Sequence, residues 1–171
     1  ADSASTLHAW DAIVEITGPN GVRRIPIKEF YIKAGTVDLR EGEIQTAIII
    51  PKKSYEGYKG HYIKYAMRNA MDIATTGCSV NVKLSEDKKT IEDVRIAYGV
   101  AGPVPMRTPS AEAVAKGKPV CMETVKAFAE AAKVNGLEAA AESYGYNVTT
   151  GTYNADSTVT EKVAEALDAM T

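Results

Sequence analysis

Apolar and polar side chains alternate along several short stretches of this chain, the period-two pattern of half-buried strands. Ile13-Val14-Glu15-Ile16 and Val22-Arg23-Arg24-Ile25-Pro26-Ile27 flank Gly18-Pro19-Asn20-Gly21. Two such runs around an Asn-Gly predict a β-hairpin. Ile44 to Ile50 is a β-branched strand that Pro51 ends, and it is expected to pair with the hairpin in one sheet. Farther on, Tyr62 to Ala66 reads as a strand. Gly77 to Leu84 places Cys78, Val80, Val82 and Leu84 on one face, and Ile91 to Val100 does the same with Val94, Ile96 and Tyr98. The charged turn Ser85 to Lys89 joins these last two into an antiparallel meander. Gly102-Pro103-Val104-Pro105 is expected to stop it.

Helical spacing appears at both ends. Ser3 to Asp11 predicts a short helix with Leu7 and Trp10 on one face. Glu29-Phe30-Tyr31 reads as a short turn or helix, Lys52 to Gly60 as a loop and domain boundary, and Asn69 to Ala74 as a turn of helix. Ser110 to Ala115 predicts another helix. Met122 to Val134 predicts the next, with Val125, Phe128, Ala129 and Ala132 at helical spacing. Leu137 to Tyr144, capped by Gly145, and Thr158 to Met170 are two more, with Tyr146 to Tyr153 between them as strand or loop. Strands followed by helices give an α+β class.

Composition narrows the function. The 171 residues are 45% hydrophobic and 25% charged, enough apolar content for a folded core. A formal net charge of −2 does not suit a binder of phosphate backbones, so Tyr55, Tyr58, Tyr62 and Tyr65 read as packing or ligand-wall residues, not a nucleic-acid stacking platform. No apolar run approaches a membrane span. Cys78 and Cys121 form no CxxC pair; two buried, reduced thiols in a cytoplasmic setting are expected. His8 and His61 lack the neighbours of a catalytic triad, and neither a P-loop nor a GxGxxG is present. The opening Ala1-Asp2-Ser3-Ala4 reads as the middle of a longer protein or a processed start.

Lys64, Arg68 and Asp72 lie four residues apart. On one helix they form an ion-pair ladder; on a turn they form a basic pair lining an anion or cofactor edge, with Asp72 fixing Arg68. Spacing alone leaves both open.

Four motifs in order point to a family. Lys64 to Ala74, followed by Thr76-Gly77-Cys78, resembles the segment that opens the C-terminal domain of the flavoprotein subunits of xanthine and carbon monoxide dehydrogenases. Arg40-Glu41-Gly42-Glu43-Ile44 with Ile50-Pro51 resembles that family's Gly-Glu-Ile…Ile-Pro strand. Arg95-Ile96-Ala97 through Pro105-Met106-Arg107 resembles its Arg-Ile-Ala…Pro-x-Arg strand and exit. Ala1 to Ala4 resembles the acidic, small-residue segment after its second flavin-binding glycine loop. The resemblance runs from about Ala1 to about Lys133.

The resemblance implies an oxidoreductase subunit that carries electrons from iron–sulfur clusters through FAD to an acceptor such as NAD. Substrate hydroxylation would take place at molybdopterin, and molybdopterin and the 2Fe–2S clusters would sit on partner subunits. Asp2 would lie near the ribityl or pyrophosphate part of FAD, Ile44 and Gln45 would flank the isoalloxazine, and Lys64 would approach its polar edge. Arg68 and Asp72 would form a supporting or acceptor-side shell. No catalytic residue and no metal ligand is assigned. The family's glycine-rich FAD loops have no counterpart here, so the flavin site needs an N-terminal FAD-binding part, on this or an adjoining chain. Residues 1–52 are expected to end a mixed α/β flavin-binding domain. Residues 53–135 would be an antiparallel three-stranded sheet packed on helices, and 136–171 a divergent helical tail. The alternatives are a scaffold domain that docks the other subunits without its own flavin, and a free-standing small-ligand module.

Overall fold

The structure, a computed structural model, describes residues 2–131. It opens with helix α1 (Asp2–Ala9), whose buried side is Ala4, Ser5, His8 and Ala9. Leu7 and Trp10, expected on one face of this helix, are both half-buried, and Leu7 packs against the core. The small residues at i, i+4 spacing let the helix backbone approach its neighbours, which larger side chains would hold off. Thr6 Oγ1 lies 2.7 Å from Ser79 Oγ, and His8 Nδ1 is 2.9 Å from the Ala4 carbonyl. Burial pushes the His8 imidazole below its ordinary value.

Strands β1 (Ile13–Gly18) and β2 (Gly21–Pro26) form the expected antiparallel hairpin. Pro19 and Asn20 make its turn, and Gly21 follows at φ 102, a region glycine enters without strain. Helix α2 (Ile27–Phe30) comes next, then the small β3 (Tyr31–Lys33) and β4 (Thr36–Val37) pair, then β5 (Ile44–Ile49). The sheet order β2-β1-β5 places hairpin and later strand together, as the alternation implied. Ala12, Val14, Ile16, Ile27 and Phe30 form the core beneath it, with Leu7, Ile25, Tyr31 and Val37 packed against them.

Between β1 and β5 the register shifts. Glu15 faces Ala47, but Ile16 faces Gln45, so Thr46 is an extra residue. Strict alternation would put Ile44 and Ile48 on one face. The bulge separates them: Ile48 shares the face of its partner Val14, Gln45 that of Ile16, and Ile44 the opposite face with Thr17.

The expected loop at Lys52 is instead a short helix, α3 (Lys52–Tyr55). Pro51, at φ −61, pre-sets the turn, and the Lys52–Glu56 ion pair at 3.1 Å spans it. Strand β6 (Tyr58–Tyr65) therefore starts four residues earlier than the pattern suggested. With β7 (Thr76–Leu84), β8 (Ile91–Gly99) and β9 (Met106–Arg107) it forms a four-stranded sheet in chain order. The three expected strands are present. The fourth is two residues long and returns after the Gly-Pro-Val-Pro stop, with Ala97 facing Arg107 and Tyr98 facing Met106. The helical turn expected at Asn69 to Ala74 is absent: 66–75 is an irregular connection closed by Thr75 N donating to Tyr65 O at 2.8 Å.

Helices α4 (Pro109–Ala115) and α5 (Met122–Ala131) complete the described chain, and the α+β class holds. The elements expected at Leu137 to Tyr144, Tyr146 to Tyr153 and Thr158 to Met170 lie outside the described residues, as does the end of the helix expected to reach Val134. One compact unit comprises Ala1–Val80 with Ala97–Arg107; the other comprises Asn81–Ile96 with the chain from Thr108. Among the described residues no helix is long and apolar enough to cross a membrane. Both cysteines are free, as expected, but each is only partly buried. Burial pushes the Cys78 thiol up to about 12 against the hydrogen bond it accepts from Tyr98, so it is a poor nucleophile.

In the second unit Glu112 replaces a strand. The ladder along β8 gives out after Thr108 N reaches Ile96 O at 3.3 Å, and the buried Glu112 carboxylate then accepts the Ile96 N–H at 2.8 Å. Glu112→Ala leaves that buried N–H unpaired, a loss of about 1–3 kcal/mol. A urea titration should show the midpoint falling accordingly, and Glu112→Gln, which keeps an acceptor, should recover most of it.

Candidate functional site

Lys64 sits near the end of β6, an edge strand, and Asp2 opens α1, where a carboxylate is favoured by the helix N-terminus. Sixty-two residues apart in sequence, they meet: Lys64 Nζ donates to Asp2 Oδ2 at 2.9 Å. The same ammonium donates to the Asp72 carbonyl at 2.6 Å. The Asp2 hydrogen bond is the main cause that raises the Lys64 pKa above its ordinary value. Two of the three ammonium N–H donors are thus engaged among the described residues, and the Lys64 side chain remains 34% exposed.

Asp72 organises the connection after β6. Its carboxylate accepts from Arg68 N at 2.8 Å and Ile73 N at 3.0 Å, with the Arg68 guanidinium 3.8 Å away. Arg68 Nη2 donates to the Met71 carbonyl at 3.0 Å. Lys64, Arg68 and Asp72 therefore do come together, but around a turn and not along a helix face. Asp72 binds backbone N–H groups, which no helix interior leaves free. The turn shows its apolar side chains outward: Met67, Met71 and Ile73 are 80%, 95% and 84% exposed.

Two residues before Lys64, the Tyr62 hydroxyl is buried without a hydrogen-bond partner among the described residues, and burial raises its pKa. It packs on Gly77, where an added Cβ would stand 2.8 Å from the hydroxyl oxygen. Glycine at 77 is therefore a steric requirement, and it explains the Gly of the Thr76-Gly77-Cys78 motif.

Ile44 and Gln45 belong to the other sheet, at the start of β5, and both are exposed. Their place is set by the turn before them. Arg23 Nε and Nη2 donate to the two Glu43 carboxylate oxygens at 2.9 and 2.7 Å, a two-pronged pair. Arg23 also donates to the Asp38 carboxylate at 2.8 Å and the Asp38 carbonyl at 2.7 Å. Glu43 accepts Arg40 N at 2.8 Å as well. No helical or strand period marks Arg23, Asp38 or Glu43 as partners; the one available signal was the Arg-Glu-Gly-Glu turn, with Gly42 at φ 76. No cluster of metal-ligating side chains occurs among the described residues.

Residues 1–53 match the family model of the FAD binding domain in molybdopterin dehydrogenase, and residues 61–139 that of the CO dehydrogenase flavoprotein C-terminal domain. The xanthine dehydrogenase FAD-binding subunit of Escherichia coli O157:H7 is 40% identical over 130 residues, 76% of this chain and 44% of that protein. The carbon monoxide dehydrogenase medium chain of Hydrogenophaga pseudoflava is 30% identical over 124 residues, 72% of this chain and 42% of that one. Among solved structures, carbon monoxide dehydrogenase from Hydrogenophaga pseudoflava, lacking the Mo-pyranopterin moiety, matches with a TM-score of 0.69 at 26% identity, over 97% of this chain and 53% of that chain. Quinoline 2-oxidoreductase from Pseudomonas putida 86 matches with a TM-score of 0.69 at 18% identity, a likeness of fold alone. The chain spans about half the length of the relatives it matches.

The Arg23–Glu43 pair has a pH signature. Its hydrogen bonds, Arg23 first and Arg40 N–H second, hold the Glu43 carboxyl at about 2, against an ordinary 4.5. A carboxyl depressed on folding stabilises the fold fully above its unfolded value, and that contribution is lost as pH falls toward the folded one. Urea midpoints measured between pH 5 and pH 2.5 should fall less steeply for Glu43→Gln than for the parent chain. Parallel slopes would show that the pair adds no stability.

Proposed function

We propose that this chain, which belongs to the flavoprotein-subunit family of the xanthine and carbon monoxide dehydrogenases, forms the ring end of a FAD site and docks the other subunits of a molybdenum hydroxylase. In this reading FAD, when bound, passes electrons from iron–sulfur clusters to an acceptor such as NAD. Molybdopterin, the iron–sulfur clusters and an N-terminal FAD-binding part lie on partner chains or on further sequence. The boundary between the flavin-binding and C-terminal domains falls near residue 53, and the assembly is cytoplasmic.

The residues present fit one end of the cofactor. Ile44 is 64% exposed and offers a flat β-branched wall, and Lys64 keeps an N–H for a ring-edge acceptor. They do not include a glycine-rich cradle for the pyrophosphate, so the nucleotide end falls to the N-terminal part. Asp2 serves here as the partner that orients Lys64. Arg68 and Asp72 shape the acceptor-side turn, and Ile44 and Gln45 flank the ring. The contact of Asp2 with Lys64 carries the reading, because it brings the Ala1–Ala4 and Lys64–Ala74 motifs to one point.

A cation at the ring edge favours the more negative state of the ring. Lys64→Ala in the flavin-loaded complex should therefore lower the flavin's reduction potential and slow electron delivery to it, with the unfolding midpoint nearly unchanged. Asp2→Asn, which frees the ammonium from its counter-charge, should shift the potential the opposite way. A potential that stays fixed in both variants would rule out Lys64 as a flavin residue.

A further inference from the structure

We propose that Glu43 is a positioning residue for the flavin-facing end of β5: gripped by Arg23, it fixes where the Thr46 bulge falls and so which way Gln45 is presented. The inference rests on the reading that Ile44 and Gln45 flank the ring.

Three observations carry it. Glu43 immediately precedes Ile44, and its side chain is only 11% exposed while making hydrogen bonds to Arg23 Nε, Arg23 Nη2 and Arg40 N. The hairpin turn presses close on it: a Cβ on Gly18 would stand 2.6 Å from Glu43 Cγ, and a Cβ on Gly42 would stand 3.1 Å from Pro19 Cγ. Both glycines thus mark close approach of the β1–β2 turn to the turn before β5. Beyond Gln45, the bulge residue is held on the other face: Thr46 Oγ1 lies 3.0 Å from Thr17 Oγ1 and 3.3 Å from Glu15 Oε1, and Glu15 in turn accepts from Arg24 at 2.7 Å.

Ile44 and Gln45 therefore lie between two anchors, Glu43 to Arg23 and Thr46 to Thr17 and Glu15. A strand clamped just before its bulge and at the bulge residue itself cannot slip by one residue, and a one-residue slip is what would turn Gln45 to the opposite face. The two anchors trace to consecutive residues of β2, Arg23 and Arg24, which address opposite faces of the sheet.

Glu43→Gln keeps the shape and removes the charge. In this variant, amide hydrogen exchange at Gln45 and Thr46 should accelerate about tenfold or more, the scale on which loss of a charge-assisted hydrogen bond shifts a local opening, while Val14 and Ile27 stay protected. In the flavin-loaded complex the flavin absorption band should shift. Gly18→Ala, which displaces Glu43 without touching its charge, should reproduce both effects. Asp38→Asn, which weakens the other half of the Arg23 grip, should produce neither. Unchanged exchange at Gln45 and Thr46 in Glu43→Gln overturns the proposal, as does an Asp38→Asn effect of equal size. Faster exchange with an unmoved flavin band also overturns it. In that last case a shifted potential in Lys64→Ala shows the flavoprotein reading intact, and a fixed one shows that reading to have failed.

Discussion

Neighbouring side chains on a strand must leave by opposite faces, and Arg23 and Arg24 turn this into the organising constraint of the first sheet. Arg23, opposite Ile16, goes to the core side and meets Glu43 and Asp38. Arg24, opposite Glu15, goes to the other side and holds Glu15. The first pair ties down the chain between β4 and β5. The second supports the carboxylate against which the bulge residue Thr46 rests. Two adjacent cations on an edge strand thus determine how β5 enters the sheet, and the family's Gly-Glu-Ile strand acquires a physical meaning. Its Gly permits the turn, its Glu is the anchor, and its Ile is the first residue beyond.

The sequence made the strands legible because alternation is a local property. Ile13 to Ile16, Val22 to Ile27, Ile44 to Ile50, Gly77 to Leu84 and Ile91 to Val100 all lie in strands or within a residue of them. What escaped depends on contacts between distant residues. The Thr46 bulge is one such case: its hydroxyl meets Thr17 and Glu15, 29 and 31 residues away in sequence. β9 exists only because Met106 and Arg107 return to β8. The buried side of α1, Ala4, Ser5, His8 and Ala9, carries no run of large apolar residues, so no apolar period marks it in the sequence. At Lys52 a short helix was hidden by its charge, which is harmless on an exposed turn.

The connection 66–75 shows the same limit at the site. A four-residue spacing of Lys64, Arg68 and Asp72 fits a helix equally well, and the two arrangements differ in what Asp72 accepts. In a helix interior its carboxylate would find only side chains. Here it takes two backbone N–H groups, and its own carbonyl takes Lys64. One residue therefore both closes the turn and supports the cation. Within this turn Met71 sits at φ 52, and Met67, Met71 and Ile73 face outward, each a local cost in backbone strain or solvation.

The pairing of Lys64 with Asp2 also limits how that cation acts. An isolated ammonium projects a field over a Debye length, roughly 8 Å at physiological ionic strength. An ammonium 2.9 Å from a carboxylate is instead one end of a short dipole, whose potential falls with the square of distance and is screened further where the pair meets solvent. Such a pair does little to draw a charged partner from afar, and the chain's net charge of −2 adds no strong field of its own. Its influence is confined to a group in contact with the ammonium. On the proposed reading, a ring edge seated against Lys64 would feel the near charge before the far one cancels it. Asp2 then sets how much of that charge is felt, through its place on the first turn of α1. That place depends on how the helix is seated, through buried His8 and the Arg107–Asp11 ion pair at 2.7 Å just beyond its C-terminal end. The strength of the site is thus a property of the whole first unit, and not of the lysine alone.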